Sequence, residues 1–337
     1  MNFDFSDEQY AVRDVAREVF DREWPAAALR DRWTTEEPGL GRVWKALAEV
    51  GVLGLTTPEE HGGAGGDLLD LALVLEEVGR AAVPDPIVDT VVVAATALAA
   101  SGGEHAERWL PRIASGEAVA GVVLPSHPFV LDADVASFVL IERQGELHLV
   151  EGDQLMPVRI ETEDRARRLF GIQSKSGSRL TDEPAVLDRA RDHGATATAC
   201  VLNGVSLRLL EMTLEHVKAR RQFGRPIGSF QAVKHKLATM HVALDSARAA
   251  SWYAAYAWAR DLSDAGRAAS VAKALASETT ALLGGEALQL HGGIGFTWEH
   301  DLHLWLKRAM ALEPEYGSAR EHRARLAADL LRGGERT

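Results

Sequence analysis

Apolar residues recur every three to four positions through the first third of the chain, which predicts helices. After Ser6 the regularly spaced apolar side chains are Tyr10, Val12, Val15, Val19 and Phe20. Ser6 precedes two acidic residues and is predicted to be the N-cap of this helix. Four glycines between positions 62 and 66 predict a loop, and residues 68–82 then resume a helical pattern.

Residues 117–183 have a different pattern. Short runs rich in Val, Leu and Ile alternate with turn residues, and they are AVAGVVLP (118–125), ASFVLIE (136–142) and ELHLVEG (146–152). Such runs are typical of β-strands. We therefore expect a small β domain with room for only a few strands.

From residue 184 to 337 the pattern is helical again. One apolar row comprises Val201, Val205, Leu209 and Met212, and a second row beside it comprises Leu210, Leu214 and Val217. Together they form a broad apolar face, as in a helix packed in a bundle. A second long helix is predicted over 267–291. The chain is thus expected to be α+β, mostly α, with domains at 1–116, 117–183 and 184–337.

Composition narrows the class of protein. Of the 337 residues, 46% are hydrophobic and 26% charged, an ordinary globular balance, and the formal net charge is −12. That charge disfavours nucleic-acid binding, so an anionic ligand would need a local basic site. The single cysteine, Cys200, excludes an intramolecular disulfide and fits a reducing cytoplasm. The polar N-terminus is unlike a signal peptide, and the apolar run 87–100 carries Asp89 and is too short to span a membrane. We expect a cytoplasmic protein with no membrane or nucleic-acid partner.

The densest candidate chemistry lies in ARRQFGRPIGSFQAVKHKLATM, residues 219–240. Arg220, Arg221 and Arg225 cluster where glycines and a proline interrupt the helical pattern. Arginine forks suit phosphate oxygens, and the two phenylalanines in this stretch can pack on an aromatic ring. The alternative interpretation is a helix–loop–helix corner with solvated arginines.

A second candidate is LQLHGGIGFTWEHDLHLWLKRA, residues 288–309. Its glycines allow close approach of a ligand or form an anion-binding nest, although a helix C-cap and a tight turn explain them equally. A Rossmann site is disfavoured because the glycines follow a helical pattern and not a strand. His291, His300 and His303 are interpreted as surface or packed side chains, so no metal site is predicted.

Together the two segments resemble the paired signatures of the acyl-CoA dehydrogenase family, R-x-Q-F-G-x-x-I…Q-A-V and Q-x-x-G-G-x-G-F. The resemblance implies an N-terminal helical domain, a middle β domain and a C-terminal four-helix bundle, assembled as a tetramer that binds FAD. It also implies that Arg220 meets the FAD pyrophosphate. The other residues implied to hold this cofactor are Phe223, Ile227, Phe230, Gln231, Gln289, Gly292 and Gly293.

The catalytic base of that family is missing from its usual positions. The reaction removes a proton beside a thioester carbonyl while the flavin takes a hydride, so it needs a carboxylate base. Most members supply a Glu after the second motif, where this chain has Tyr316; others supply it earlier on the preceding helix, where it has Gly194 and Ala195. A phenol is a poor substitute. A one-residue slip would bring in Glu315, and Glu313 and Asp192 lie near the two positions, so no catalytic residue is assigned.

The family's T-E-P-x-x-G-S-D and W-I-T-N stretches, which hold the flavin ring, are also absent; VVLPSHPFV stands in place of the first. The chain thus keeps the motifs for the ADP half of FAD and lacks those for the flavin ring. In this it resembles one branch of the family, heterotetramers in which a short, degenerate chain pairs with a longer subunit that carries the base. Such pairs act on CoA-activated steroid side chains. The resemblance implies an acyl-CoA substrate and an electron-transfer flavoprotein as acceptor. Two alternatives remain, a self-sufficient homotetramer with a displaced base and a non-catalytic helical assembly protein.

Overall fold

The N-terminal third is helical, as predicted. In this computed structural model, which describes residues 4–35, 40–174 and 177–334, its helices are α1 (Asp7–Glu23), α2 (Ala26–Arg32), α3 (Arg42–Glu49), α4 (Leu68–Ala81), α5 (Ala95–Ser101) and α6 (Gly103–Ala114). Ser6 caps α1 in a capping box with Gln9, which confirms the predicted N-cap. A π-helical segment, Val88–Ala94, runs directly into α5 and buries Asp89.

The middle of the chain forms two small sheets. The strands are β1 (Ala120–Val123), β2 (Val130–Leu131), β3 (Phe138–Arg143), β4 (Glu146–Glu151), β5 (Leu155–Ile160), β6 (Leu169–Ser174) and β7 (Ser178–Thr181). The first sheet has the strand order β1-β3-β4-β7 and the second β2-β6-β5. β1 is parallel to β3, and the remaining pairs are antiparallel. The three predicted strands correspond to β1, β3 and β4.

The C-terminal part is a bundle of long helices. They are α7 (Pro184–Ala219), α8 (Gln231–Ala259), α9 (Ala265–His291), α10 (Leu302–Leu312) and α11 (Ala319–Gly334), with the small hairpin β8 (Arg221–Gln222) and β9 (Arg225–Pro226) between α7 and α8. Helix α9 packs against α7, α8 and α11. The predicted mostly helical α+β fold with a C-terminal bundle is confirmed.

Helix α4 joins the N-terminal region to this bundle at very close range. A Cβ on Gly79 would lie 1.9 Å from the carbonyl oxygen of Val201, and one on Gly204 would lie 1.8 Å from that of Glu76. Only glycine permits this approach of two backbones. The main hydrophobic core continues across the N-terminal helices, the first sheet and the bundle. No helix of the described ranges has both the length and the apolar character needed to cross a bilayer.

Candidate cofactor site and base position

The first motif forms a strained, exposed hairpin at the end of α7. Arg220 leaves the helix with an extended backbone, and the turn between β8 and β9 places Phe223 at φ +51° and Gly224 at φ +79°. A bulky residue is rarely found in this left-handed region, where Asn-Gly is usual. Phe223 is also 91% exposed. Strain combined with exposure indicates a side chain held out for a ligand or a partner.

Five of the predicted cofactor residues lie on or beside this hairpin. The Ile227 N–H donates to the Arg220 carbonyl at 2.8 Å, which folds the loop back on itself. The rings of Phe223 and Phe230 meet edge to face at 6.1 Å, and Gln231 opens α8 directly after them. The Arg220 guanidinium is exposed and forms no ion pair or hydrogen bond within the described part of the chain. An unpaired cation beside the exposed ring of Phe223 suits a planar anionic ligand.

The second motif ends α9 beside this hairpin. Gly292 stops the helix at φ +62°, as a C-cap does. A Cβ on Gly292 or Gly293 would meet nothing within 4 Å, so packing inside the chain does not require a glycine at 293. The rings of His216 and His291 stack at 4.3 Å and connect the two motif segments. Gln289 is exposed one turn earlier and faces a depression of about 460 Å³ beside Lys236 of α8.

The two sequence positions expected for the base converge on one buried spot. A Cβ on Gly194 would lie 2.2 Å from the ring of Tyr316, so the two residues are in direct contact. The Tyr316 hydroxyl donates to Asp89 Oδ1 at 2.6 Å, and the side chain is almost fully buried. Burial, followed by the charge of Asp89, raises the pKa of Tyr316 well above its usual value. A phenol in this state does not act as a base near neutral pH.

Asp89 and His127 complete this buried cluster, and the sequence did not predict their role. The imidazole of His127 stacks on the Tyr316 ring at 4.1 Å, and its Nε2 lies 3.2 Å from Asp89 Oδ1. Burial opposes the protonation of His127, but Asp89 outweighs it and raises the pKa above the ordinary value. Two sequence features could have indicated this cluster. They are Asp89, the lone charge in the apolar run 87–100, and His127, the histidine in VVLPSHPFV.

Each of the three nearby acids already has a partner within the chain. Glu315 pairs with Arg167 at 2.6 Å, and both side chains are largely buried. Glu313 accepts from the Ala319 N–H at 3.1 Å, and Asp192 pairs with Arg325. Glu315 nevertheless lines a cavity of about 240 Å³ with mostly apolar walls, which also include His127, Phe129 and Leu169.

A buried lysine holds the segment that carries Tyr316. Lys273 Nζ donates to the carbonyl oxygens of Glu313 at 2.7 Å and Gly317 at 2.8 Å. Burial lowers the pKa of this ammonium to about 8, although the surrounding glutamates act in the opposite direction. His322 Nε2 lies 2.9 Å from the Tyr316 carbonyl oxygen. The two buried side chains therefore hold the backbone that carries the phenol.

Comparison with known proteins agrees with a flavoenzyme fold. The acyl-CoA dehydrogenase N-terminal domain matches residues 6–117, and the acyl-CoA dehydrogenase C-terminal domain matches residues 185–331. The chain belongs to the acyl-CoA dehydrogenase family, a family of oxidoreductases whose cofactor is FAD.

Individual relatives cover the chain almost end to end. It is 35% identical to acyl-CoA dehydrogenase IpdE2 of Mycobacterium tuberculosis over 96% of this chain and 98% of that protein. It is 32% identical to acyl-CoA dehydrogenase FadE34 of the same species, over 90% of this chain but 45% of that longer protein. Among solved structures, the Tcur3481-Tcur3483 steroid ACAD G363A variant superimposes with a TM-score of 0.88 at 30% identity, covering 98% and 99% of the two chains. The ChsE4-ChsE5 complex of Mycobacterium tuberculosis, at 23% identity and a TM-score of 0.88, shares the fold over 98% of this chain and 99% of that chain.

The residues of the two motifs fit FAD. The exposed guanidinium of Arg220 suits a pyrophosphate, the two phenylalanine rings suit an aromatic ring, and the backbone at Gly292 and Gly293 is open to close approach. Of these residues, Arg220, Phe223, Gly292 and Gly293 are exposed and therefore accessible to a ligand.

Proposed function

We propose that this chain is the non-catalytic, cofactor-clamping subunit of a heteromeric acyl-CoA dehydrogenase, and that a longer partner subunit carries the catalytic Glu. The observation that carries the proposal is the buried Tyr316–Asp89 contact over Gly194. It fills both positions from which this family supplies a base, while Arg220 stays exposed and unpaired and Phe223 stays exposed.

In this proposal the chain contributes binding and orientation. Arg220 donates to the pyrophosphate of FAD; Phe223, Ile227, Phe230 and Gln231 line the same cofactor, and Gln289, Gly292 and Gly293 close the site. When bound, FAD would supply the acceptor for a hydride from the β-carbon of the acyl-CoA, and the partner's carboxylate would remove the α-proton. Residues 1–116, 117–183 and 184–337 act as the three domains of the subunit.

The substrate class rests on similarity alone. The 30%-identical solved structure is described as a steroid acyl-CoA dehydrogenase and carries a paired designation, Tcur3481-Tcur3483, which supports a two-chain enzyme for a steroid-derived acyl-CoA. An electron-transfer flavoprotein in the cytoplasm is the proposed electron acceptor.

The number of flavins bound per chain tests whether this subunit needs a partner to bind the cofactor. The isolated chain should bind little FAD, because its own flavin-ring segment is degenerate, with VVLPSHPFV in place of the family's T-E-P-x-x-G-S-D stretch. Co-expression with the partner should give a yellow complex with fewer flavins than chains, measured as flavin absorbance against protein. Full flavin occupancy in the isolated chain would overturn the proposal.

A second candidate function, a self-sufficient enzyme, is favoured by one observation: Glu315 lines an apolar cavity. Substitution distinguishes the two. Under our proposal Glu315→Gln and Tyr316→Phe each leave acyl-CoA oxidation by the complex nearly unchanged, whereas loss of a true base costs at least about 10²-fold in rate. Steady-state turnover decides between them, and a loss of that size for Glu315→Gln alone would favour the second candidate.

A further inference from the structure

Three histidines from different elements meet beside the cofactor motifs. His216 lies in the last turn of α7, His291 ends α9, and His300 precedes α10. Each can present one ring nitrogen so that the three nitrogens lie within 4.8 Å of one another. Their ring centroids are 4.3 Å apart for His216 and His291, and 4.7 Å apart for His291 and His300. We call this set the three-histidine cluster.

His291 has a buried nitrogen that no group of the described chain satisfies. Its Nδ1 lies 2.8 Å from the Ala287 carbonyl oxygen and must therefore donate, which leaves the lone pair of the neutral ring on Nε2. The residue is only 5% exposed, and Nε2 has no hydrogen-bond partner among the described residues. Buried polar atoms are normally paired, so this nitrogen points to a group from outside the chain.

The surroundings supply an entry path and negative charge. His216 and His300 line a surface cavity of about 390 Å³ whose walls include Glu215, Glu299 and Asp301. The positive charge of Arg220 repels a cation here, so the affinity has to come from the coordination bonds. His300 Nδ1 accepts from the Leu302 N–H at 3.1 Å. Coordination through Nε2 would put the ring proton on Nδ1, so the metal–nitrogen bond would replace this hydrogen bond.

We propose that the three-histidine cluster binds one divalent transition-metal ion of the zinc class, with an open fourth position for water. Imidazole ligands suit such ions, and the only cysteine, Cys200, is buried in the bundle core and cannot contribute. Tetrahedral coordination at about 2.0–2.1 Å places ligand nitrogens roughly 3.3 Å apart, within reach of small side-chain rotations from the observed cluster. The ion would link the ends of α7 and α9 and so fix the two cofactor motifs relative to each other. This inference does not depend on the proposed function, and it departs from the sequence-based expectation that these histidines bind no metal.

Cobalt titration of the full chain, purified without a histidine tag, tests the site. We expect saturation at one Co²⁺ per chain, with the visible absorption bands of a four-coordinate ion, and displacement by Zn²⁺. His216→Gln, His291→Gln and His300→Gln should each weaken binding at least about 10-fold, since even changes outside the ligand set cost 10- to 100-fold at metal sites. His303→Gln is the matched control, because it removes a neighbouring histidine outside the cluster and should leave the affinity unchanged.

Two results would overturn the proposal: no saturable Co²⁺ binding by the wild-type chain, or single variants that bind as tightly as wild type. X-ray absorption of the zinc-loaded wild-type chain gives a reading that does not depend on the folding of any variant. It should show three imidazole nitrogens, and a shell of oxygen ligands alone would mean surface carboxylate binding instead.

Discussion

An unpaired guanidinium is the residue-scale feature on which the clamp depends. Arg220 and Arg221 are neighbours on the same exposed hairpin, and neither forms an ion pair or hydrogen bond through its side chain within the described ranges. Under the proposed function, only Arg220 contacts the pyrophosphate of FAD. Substituting the two arginines one at a time therefore distinguishes a specific contact with the pyrophosphate from a general effect of positive charge.

Arg220→Ala should strip FAD from an assembled complex. A hydrogen bond to a charged group contributes about 1.5–3 kcal/mol, which corresponds to roughly 10- to 100-fold in flavin affinity. Arg220→Lys should recover only part of the loss, because an ammonium keeps the charge but not the fork. FAD titration into the apo complex measures the change, after size-exclusion chromatography has shown that the complex is intact.

Arg221→Ala is the control for charge and exposure, and its effect should be much smaller. Equal losses for the two alanine variants would indicate long-range attraction and not a bidentate contact. Unchanged flavin affinity in an intact Arg220→Ala complex would remove the main physical support for the clamp.

Helix α7 provides the prediction at the scale of elements, because Gly194 sits where the helix meets the Tyr316 loop. Gly194→Ala places a methyl group 2.2 Å from ring atoms that Asp89, Lys273 and His322 hold in position. Overpacking of this kind costs about 1–3 kcal/mol. Urea unfolding should show that loss as a lower midpoint with an unchanged slope.

Gly285→Ala in α9 is the matched control for the glycine-to-alanine change. A Cβ there would meet nothing within 4 Å, so the change should stabilise the helix by about 0.5–1 kcal/mol. If Gly194→Ala were equally stabilising, the Tyr316 ring would have to move aside easily. That result would contradict the rigid packing of Tyr316 against Gly194.

The elements show where sequence reasoning succeeds and where it fails. The Ser6 cap, α4, α9 and the three strands with clear apolar runs were predicted because periodicity and caps are local properties. Strand β2 was missed because two residues are too few to show a period, and β5 because it contains Pro157 and is half-exposed.

The sequence motif that forms the hairpin could be recognised, and its cofactor role stays a prediction, whereas the packing around Tyr316 could not be predicted. Arg220 through Gln231 are consecutive in the chain, so a motif describes them. Asp89, His127 and Tyr316 come from a π-helical segment, a loop after β1 and the loop after α10, and only the tertiary fold brings them together. The sequence shows Tyr316 at the position where most members of the family have Glu, but it does not show what Tyr316 packs against.

At the scale of the whole molecule, buried neutral histidines make the fold sensitive to acid. Burial lowers the pKa of His193 to about 3, with a smaller effect of Arg189, and lowers the pKa of His322 to about 4. A folded-state pKa below the unfolded value of about 6.5 means that the unfolded chain binds the proton first. Stability is therefore complete above about pH 6.5 and falls as the pH drops toward the folded-state values.

His193→Phe should remove part of this acid sensitivity. His193 packs edge to face on Trp258 at 5.0 Å, and neither of its ring nitrogens has a partner in the described part of the chain, so a phenyl ring suits the site. Between pH 7.5 and 5 the wild type should lose about 2 kcal/mol more than the variant. Urea unfolding at the two pH values measures the difference. The exposed His241, changed to Gln, is the control, and an equal acid loss in wild type and His193→Phe would contradict the assignment.

The contact between Tyr316 and Gly194 also limits the evolutionary routes by which such a chain could regain a base. A Glu introduced at 194 would collide with the phenol, and a Glu introduced at 316 would face the buried carboxylate of Asp89. Each single step meets steric overlap or like-charge repulsion before any activity is gained. A base at either position needs at least two coordinated changes, so under the proposed function selection acting one substitution at a time would keep such a chain dependent on its partner.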